Sequence, residues 1–290
     1  MTKDAFEPVV GHAEAVRALR AHLERTGGSG STLLVGPTGT GRAFLARRTA
    51  HAILGEGALI EAGNHPDWNV LEPAEGIAGV REATQRLQRR AARGPRQVLL
   101  VKDADELSRD ALNALLKTLE EPPAGAAILL TARGTHDLPE TVVSRCRVVR
   151  VAPLDETETR TVLARAGVPE DLAADAEGSP GRARYLHARK VLPDVEKLVA
   201  AVRHPASDPL GLVDKVVRRR KDEDPREFRR RLRATLEAVA GRLRRDLPES
   251  ETALRGVVEA LGSLGANASP GIVLSELVLS PWKTPSRPSA

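Results

Sequence analysis

A glycine-rich segment at residues 36–43 has the spacing of a phosphate-binding loop but lacks two of its reactive side chains. It reads Gly-Pro-Thr-Gly-Thr-Gly-Arg-Ala, whereas the working pattern is G-x-x-x-x-G-K-[ST]. Arg42 stands at the lysine position. Ala43 stands at the hydroxyl position, where a Mg²⁺ ligand needs an oxygen atom. The segment therefore predicts the geometry of a phosphate loop without the chemistry of ATP hydrolysis.

Two interpretations of this loop follow from its residue types. A glycine-rich turn that joins a strand to a helix without any ligand fits the spacing as well as a phosphate site does. A guanidinium at position 42 also attracts phosphate, so nucleotide binding without turnover stays open. Our candidate nucleotide-contacting residues in the loop are Gly36, Gly39, Gly41 and Arg42.

A carboxylate that follows an apolar strand is the second candidate for nucleotide chemistry. Residues 98–101 are all apolar and lead to Asp103, the position from which ATPases present a carboxylate to Mg²⁺. The next residue is Ala104, where a glutamate would polarise water. We therefore add Asp103 to the candidate site and expect no general base beside it. For Asp105 and Glu106 we favour a solvated acidic turn.

Apolar segments alternate with amphipathic helices through the first half of the chain. We expect strands at residues 31–35, 70–71, 97–101, 126–131 and 147–151. We expect helices at residues 13–23, 41–53, 80–92 and from Ser108 to the Pro122-Pro123 pair. Strands that are apolar throughout and separated by helices indicate an α/β fold, with a parallel sheet covered on both faces.

Four short motifs carry a resemblance to a known family. Residues 113–123 read Asn-Ala-Leu-Leu-Lys-Thr-Leu-Glu-Glu-Pro-Pro, and residues 144–146 read Ser-Arg-Cys just before the last strand. The His-Pro-Asp of residues 65–67 and the Val-Gly-His of residues 10–12 fit the same pattern. With these motifs the chain resembles the AAA+ clamp-loader subunits of bacterial DNA polymerase III, most strongly over residues 8–153.

The resemblance implies a role for Arg145. In AAA+ rings an arginine of one subunit reaches the γ-phosphate bound by its neighbour, and such a finger raises phosphoryl-transfer rates by ~10³–10⁵. The alternative for Arg145 is a surface charge at the end of a helix. Within the Ser-Arg-Cys triplet we favour a catalytic arginine that acts in trans. We expect Ser144 to cap or orient, and Cys146, the sole cysteine, to be packed and inert.

Departures from the family pattern select one type of subunit. Arg42, Ala43 and Ala104 match the family's non-hydrolysing subunits rather than its motors. The resemblance then implies a part of a DNA polymerase holoenzyme that has no ATPase of its own and helps to load a sliding clamp onto primed DNA. Its implied partners are the gamma/tau motor subunits, which bind ATP and Mg²⁺, and the delta subunit. The rival is a catalytically active motor subunit with an atypical loop.

Two other features of the family are not expected to carry over. Many relatives insert a four-cysteine zinc module, but residues 53–64 bridge that gap without a cysteine, so we expect no cofactor and no metal. Arg182, in the segment 178–183, lies where the family places a second nucleotide sensor. Because the phosphate loop is damaged, we favour a structural turn and helix start for this segment.

After Pro153 the pattern changes to helices alone. Short helices are expected at residues 156–165, 170–176 and 181–189, and a helical stretch from about 193 to 279 with breaks near residues 205–209, 225, 248 and 270. In the terms of the family, we expect an AAA+ α/β domain at 1–153, a small helical lid domain at 154–190, an all-helical collar domain at 191–280, and a disordered tail at 281–290.

The charge and composition of the chain limit its possible functions but do not identify one. The 290 residues carry a net charge of +5, and the arginine runs near 218–221, 229–231 and 242–245 are interleaved with acids. We favour a solvated helical face for these runs over a nucleic-acid backbone site, which would make the chain a free-standing DNA-binding protein. No apolar run is long enough to span a bilayer and the first residues carry no signal core, so we expect a cytoplasmic location.

Overall fold

The computed structural model describes residues 4–204, 207–221, 223–247, 249–265 and 268–279. These residues fall into two compact units, within 1–162 plus 178–181 and within 163–177 plus 182–290. The predicted tail at 281–290 lies outside the described residues. So do the predicted breaks at residues 205 and 248.

The first unit is built on a parallel sheet of five strands, as the sequence predicts. The strands are β1 (Gly30–Val35), β2 (Trp68–Leu71), β3 (Gln97–Val101), β4 (Ala126–Ala132) and β5 (Arg147–Arg150). Their order across the sheet is β2-β3-β4-β1-β5. Because all strands run in one direction, the loops that follow β1, β3 and β4 meet at one edge. Both halves of the predicted nucleotide site therefore belong to the same edge of the sheet.

The helices of the first unit join these strands. They are α1 (Ala13–Thr26), α2 (Arg42–Leu54), α3 (Gly57–Glu61), α4 (Gly76–Leu87), α5 (Arg109–Glu120) and α6 (Glu140–Val143), and α7 (Glu156–Arg165) follows β5. Ser108 caps α5 as predicted, since its side chain accepts a hydrogen bond from the Ala111 amide at 3.2 Å. The sequence did not predict α3 and α6, because each is too short to show a helical period.

Alternating side chains of the strands fill two separate cores, one on each face of the sheet. In β1, Leu33 packs with Leu112 and Leu115 of α5. The next residue, Leu34, packs on the opposite face with Leu45 of α2 and Leu19 of α1. All six leucines are buried, and burying such a side chain contributes roughly 1.5–3 kcal/mol. Two covered faces explain why the strands are apolar at every position.

The prediction of a helix over residues 80–92 is wrong at its end. Helix α4 stops at Leu87. The buried carboxylate of Asp67 accepts hydrogen bonds from the backbone N–H groups of Ala92 at 2.8 Å and Arg93 at 2.7 Å. These bonds hold the segment as a loop in front of β3. Helical propensity alone extends the prediction into this loop, because the competing partner is 25 residues away in sequence.

The second unit is formed by helices, as expected. They are α8 (Ala173–Ala176), α9 (Pro180–Ala188), α10 (Leu192–Arg203), α11 (Pro209–Val217), α12 (Pro225–Arg245), α13 (Glu251–Gly265) and α14 (Pro270–Leu279), with a short 3₁₀ turn at Glu170–Leu172. The first two residues of α9 belong to the first unit. Prolines open α11, α12 and α14, where the missing N–H group costs no hydrogen bond. The division into lid and collar domains stays a prediction.

A buried ion pair joins α12 to the loop that precedes it in the second unit. Arg231 of α12 is 2% exposed and pairs with Glu223, its Nε donating to Oε1 at 2.8 Å. The same guanidinium donates to the carbonyls of Val216 and Arg218 at 3.1 Å each, which are acceptors at the end of α11. The expectation of a solvated arginine face is therefore wrong for Arg231, because it serves as a C-terminal cap for a neighbouring helix.

No helix formed by the described residues is both long enough and apolar enough to cross a bilayer.

Replacing Glu223 with alanine is expected to destabilise the second unit by about 3–5 kcal/mol, because it leaves Arg231 buried and unpaired. Burial alone would raise the pKa of Glu223, but hydrogen bonds from Arg231 and the Arg220 N–H outweigh it and lower the pKa. The stabilisation is thus present above the ordinary glutamate pKa and is lost as the pH falls through the lowered value. Urea unfolding measures both effects.

The control for this prediction is Glu251→Ala, which removes an exposed pair with Arg255 and is expected to cost less than about 0.5 kcal/mol. Equal losses of unfolding free energy for the two variants would contradict the role given to Glu223.

Candidate functional site

The phosphate-loop segment has the predicted strand–loop–helix context. Strand β1 ends at Val35 and helix α2 begins at Arg42. Gly39 and Gly41 have φ angles of 87° and 106°, which residues other than glycine rarely adopt. A Cβ atom on Gly36 would lie 2.1 Å from the carbonyl oxygen of Val151. The glycines are thus required by the backbone itself, whether or not a ligand is bound.

The arginine at the lysine position is engaged within the site. Arg42 is buried, and its Nη2 donates to Oδ1 of Asp103 at 3.0 Å. Burial lowers the pKa of Arg42, and the neighbouring carboxylates of Asp103 and Asp105 act in the opposite direction. The structure therefore brings two of our candidate residues together, and they neutralise each other.

Asp103 is held at the edge of the sheet by its backbone. It follows β3 with a φ of 41°, and its N–H donates to the hydroxyl oxygen of Thr131 in β4 at 2.8 Å. Its side chain is 39% exposed. Ala104 is fully buried behind it. Thr131 is a site residue that sequence reasoning missed, because its polar group is hidden in an otherwise apolar strand.

These residues do not fit an ATP–magnesium complex. The cation needs oxygen ligands, Ala43 supplies none, and the Asp103 carboxylate already pairs with Arg42. Among the described residues, no cluster of three or more His, Cys, Asp and Glu side chains is arranged to hold a metal ion. The expectations of no cofactor and no zinc stay predictions.

The acidic turn after Asp103 is not solvated throughout. The side chain of Asp105 is 1% exposed, and its Oδ2 accepts from Nε of Arg133 at 2.5 Å. Burial alone would lower the pKa of Arg133. The hydrogen bond to Asp105 outweighs this effect, so the pKa of Arg133 is raised. Our interpretation was therefore wrong for Asp105, while Glu106 is exposed. The error arose because the partner follows a different strand.

Within the segment 178–183, Gly181 rather than Arg182 contacts the phosphate-loop segment. The N–H of Gly181 donates to the carbonyl oxygen of Gly39 at 2.9 Å, and a Cβ atom on Gly181 would lie 2.8 Å from Gly39 Cα. Arg182 is engaged elsewhere, with Glu177 at 2.9 Å and Glu237 at 3.3 Å. The segment is a turn and a helix start, as favoured, and the close approach requires glycine at position 181.

His12 is a second residue of the loop region whose role the sequence did not reveal. It has a φ of 54°, and its imidazole Nε2 lies 3.4 Å from where a Cβ atom on Gly41 would be. Burial lowers its pKa, while a hydrogen bond with the Thr40 backbone and the charge of Glu158 oppose the shift. The Val-Gly-His motif pointed to the family but not to this contact.

Arg145 lies at the end of α6, away from the Arg42–Asp103 pair in sequence and held by its own contacts. Its Nη1 donates to the carbonyl oxygen of Thr141 at 3.0 Å, and its Nη2 lies 3.3 Å from Oε1 of Glu120. The side chain is 31% exposed. The contacts of Arg145 restrain its side chain, which is still partly exposed to solvent.

The two residues that flank Arg145 differ in environment. Ser144 is exposed, and its hydroxyl donates to the carbonyl oxygen of Thr141 at 3.4 Å. Cys146 packs against the core below α5, and burial raises its pKa to about 12. A thiol with so high a pKa stays protonated and inert at neutral pH, in agreement with the packed role expected from the sequence.

Most of the first unit matches a known protein family. Residues 11–155, half of the chain, match the family described as DNA polymerase III, delta subunit. The matched range covers the whole sheet, both halves of the candidate nucleotide site and Arg145.

Individual relatives agree with this family. The delta-prime subunit of Escherichia coli DNA polymerase III is 41% identical over 44% of this chain, and that of Pseudomonas aeruginosa is 33% identical over 59%. The matches span 41% and 60% of those relatives. The tau/gamma subunit of Haemophilus influenzae is 29% identical over 73% of this chain and 31% of its own length.

Solved structures support the fold. A gamma-subunit-related protein of DNA polymerase III from Thermotoga maritima superposes with a TM-score of 0.54 at 18% identity, covering 92% of this chain and 98% of its own. A point mutant of RuvB from the same organism gives 0.51 at 15%, covering 98% and 93%. The fold is therefore that of AAA+ proteins, and the chain belongs to the DNA polymerase III clamp-loader family, in which its relatives at 33–42% identity are delta-prime subunits.

Proposed function

We propose that this chain is the non-hydrolysing delta-prime member of a clamp loader. In this role it neither hydrolyses ATP nor carries a nucleotide–magnesium complex. It is a fixed protomer of a hetero-oligomeric ring in the cytoplasm. Its contribution to chemistry is the guanidinium of Arg145, which stabilises the charge that develops on the γ-phosphate of ATP bound by the adjacent motor subunit.

The Arg42–Asp103 ion pair is the observation that carries this proposal. In an active site the lysine-position cation contacts phosphate and the strand-end carboxylate contacts magnesium. Here one group neutralises the other at 3.0 Å, and Ala104 offers no base beside them. In an active site ATP would neutralise the cation and magnesium would neutralise the carboxylate, whereas here Arg42 and Asp103 neutralise each other. It therefore supports a protomer whose fold is independent of nucleotide.

The proposed partners follow from the family. The relatives include tau and gamma subunits of DNA polymerase III, and we assign the adjacent ATP site to such a motor subunit. The delta subunit, the sliding clamp and primed DNA are the further partners of the proposed complex.

A motor subunit that hydrolyses ATP remains the alternative, because the tau/gamma relative aligns with a larger share of this chain than the delta-prime relatives do. It requires that Arg42 leave Asp103 when nucleotide arrives. The cost of that change is the separation of a largely buried pair. The missing oxygen at Ala43 would persist afterwards.

The double variant Arg42→Lys with Ala43→Thr is expected to remain without ATPase activity. It restores the loop pattern, but Ala104 supplies no carboxylate to activate water. Phosphate release from the purified chain, measured beside the wild type, checks this. Turnover in the wild type that depends on magnesium and disappears in Asp103→Ala would reject the inactive-site proposal.

Arg145→Ala is expected to leave assembly intact and to slow clamp loading by the full complex by at least about tenfold, because the neighbour loses a positive charge in the transition state. Loading onto primed DNA is measured with the reconstituted complex. The matched control is Arg17→Ala, which truncates an exposed arginine of α1 and leaves loading unchanged. Equal rates for both variants would show that Arg145 is not the finger.

A further inference from the structure

We propose that Glu120 is a positioning residue for Arg145. It holds the guanidinium in the orientation in which the neighbouring nucleotide meets it. This inference rests on the proposed function, since it assigns a second residue to the same action in trans. Glu120 lies in the Glu-Glu-Pro-Pro segment, which the sequence analysis used only as a mark of family.

One hydrogen bond and one ion pair restrain the two terminal nitrogens of the guanidinium. The Thr141 carbonyl binds Nη1 at 3.0 Å and the Glu120 carboxylate lies 3.3 Å from Nη2. An attractive contact at each terminal nitrogen restricts the range of orientations open to a planar guanidinium. Thr141 alone would leave the group free to turn about a single hydrogen bond. Glu120 therefore supplies the second point that sets the orientation.

Both acceptors sit on elements that the core fixes. Glu120 is the last residue of α5, directly after the buried Leu119. The N–H of Glu121 donates to the Lys117 carbonyl at 3.0 Å, and Pro122 follows, so the helix ends here and its backbone is held. Thr141 belongs to α6, which packs against α5. The distance between the two acceptors is therefore set by helix packing rather than by a mobile loop.

The exposure of the pair suits a contact that must later change. The Glu120 side chain is 59% exposed and that of Arg145 is 31% exposed. An ion pair this close to water is weak and is screened by salt. It restricts the rotamers of a long side chain but yields readily to a phosphate, which carries more charge. The carboxylate thus orients the arginine without competing strongly for it.

The Glu120 carboxylate also has an opposing effect, because a negative charge next to the arginine reduces the positive potential that a phosphate meets. For a side chain that is more than half exposed, water and salt screen most of that charge. The position of Glu120 at the end of α5 still sets the direction in which the guanidinium is drawn, even though screening weakens the pair. We therefore expect removal of Glu120 to slow the reaction rather than to accelerate it.

The test uses the reconstituted loader complex with single substitutions in this chain. Glu120→Ala is expected to slow ATP-dependent clamp loading by roughly two- to fivefold, in keeping with the small energy of an exposed ion pair. Glu120→Gln keeps the shape of the side chain but removes its charge, so it should load as slowly as Glu120→Ala, and restoration of the rate would contradict a role through the ion pair. Glu121→Ala, which removes the adjacent exposed carboxylate, is the matched control and should load at the wild-type rate.

A double variant separates this inference from the proposed function. If Glu120 acts through Arg145, then Glu120→Ala causes no further loss when Arg145→Ala is already present. An additive loss would overturn the positioning role and indicate a general effect on the structure. A wild-type rate for Glu120→Ala alone, with slow loading by Arg145→Ala, would also overturn it while leaving the proposed function intact. If Arg145→Ala loads normally, the proposed function fails first.

Discussion

The ion pair between Arg42 and Asp103 is the constraint on which the rest of this account depends. It joins the loop after β1 to the residue after β3, across the edge of the sheet where AAA+ proteins hold nucleotide. A fully buried pair that loses one partner costs about 3–5 kcal/mol, and the partial exposure of Asp103 reduces that figure here. Because Arg42 is buried, solvent and salt screen this pair less than a pair between two exposed side chains. The charge balance of the site is therefore internal to the chain.

A site that balances its own charge has consequences for the elements around it. The phosphate loop keeps its glycines because Gly36 meets the Val151 carbonyl and Gly181 meets Gly39. Neither contact needs a ligand. Packing thus explains why the glycines are retained where the lysine and the hydroxyl are not. The same sheet also positions α5 and α6, from which Glu120 and Thr141 hold Arg145. One sheet therefore positions both the Arg42–Asp103 pair and Arg145.

Sequence patterns predicted much of the fold, and the physical reasons for the failures are clear. All five strands and the main helices were visible, because apolar strands and amphipathic helices have distinct periods. The end of α4 was missed, since Asp67 binds the following loop from a distant part of the chain. Asp105 and Arg231 were taken as solvated, because partners that make burial of a charge possible lie far away in sequence.

For the candidate site, residue types revealed the chemistry that is missing but not what replaces it. The substitutions at Arg42 and Ala43 are visible in the printed sequence. That Arg42 would turn to Asp103, 61 residues later, depends on the order of strands in the sheet. Likewise, the Ser-Arg-Cys triplet pointed to Arg145, but its contact with Glu120 arises from the packing of two helices. Contacts between separate elements were the part that sequence alone could not supply.

The central claim is tested most directly by calorimetric titration of the purified chain with ATP, with and without Mg²⁺. If Arg42 occupies the Asp103 carboxylate, magnesium has no ligand to gain in this site, and the affinity for ATP is the same in both conditions or is not detectable. An affinity that rises at least about tenfold on addition of Mg²⁺, and loses that rise in Asp103→Ala, would show that the carboxylate is free to bind the cation and would contradict the account.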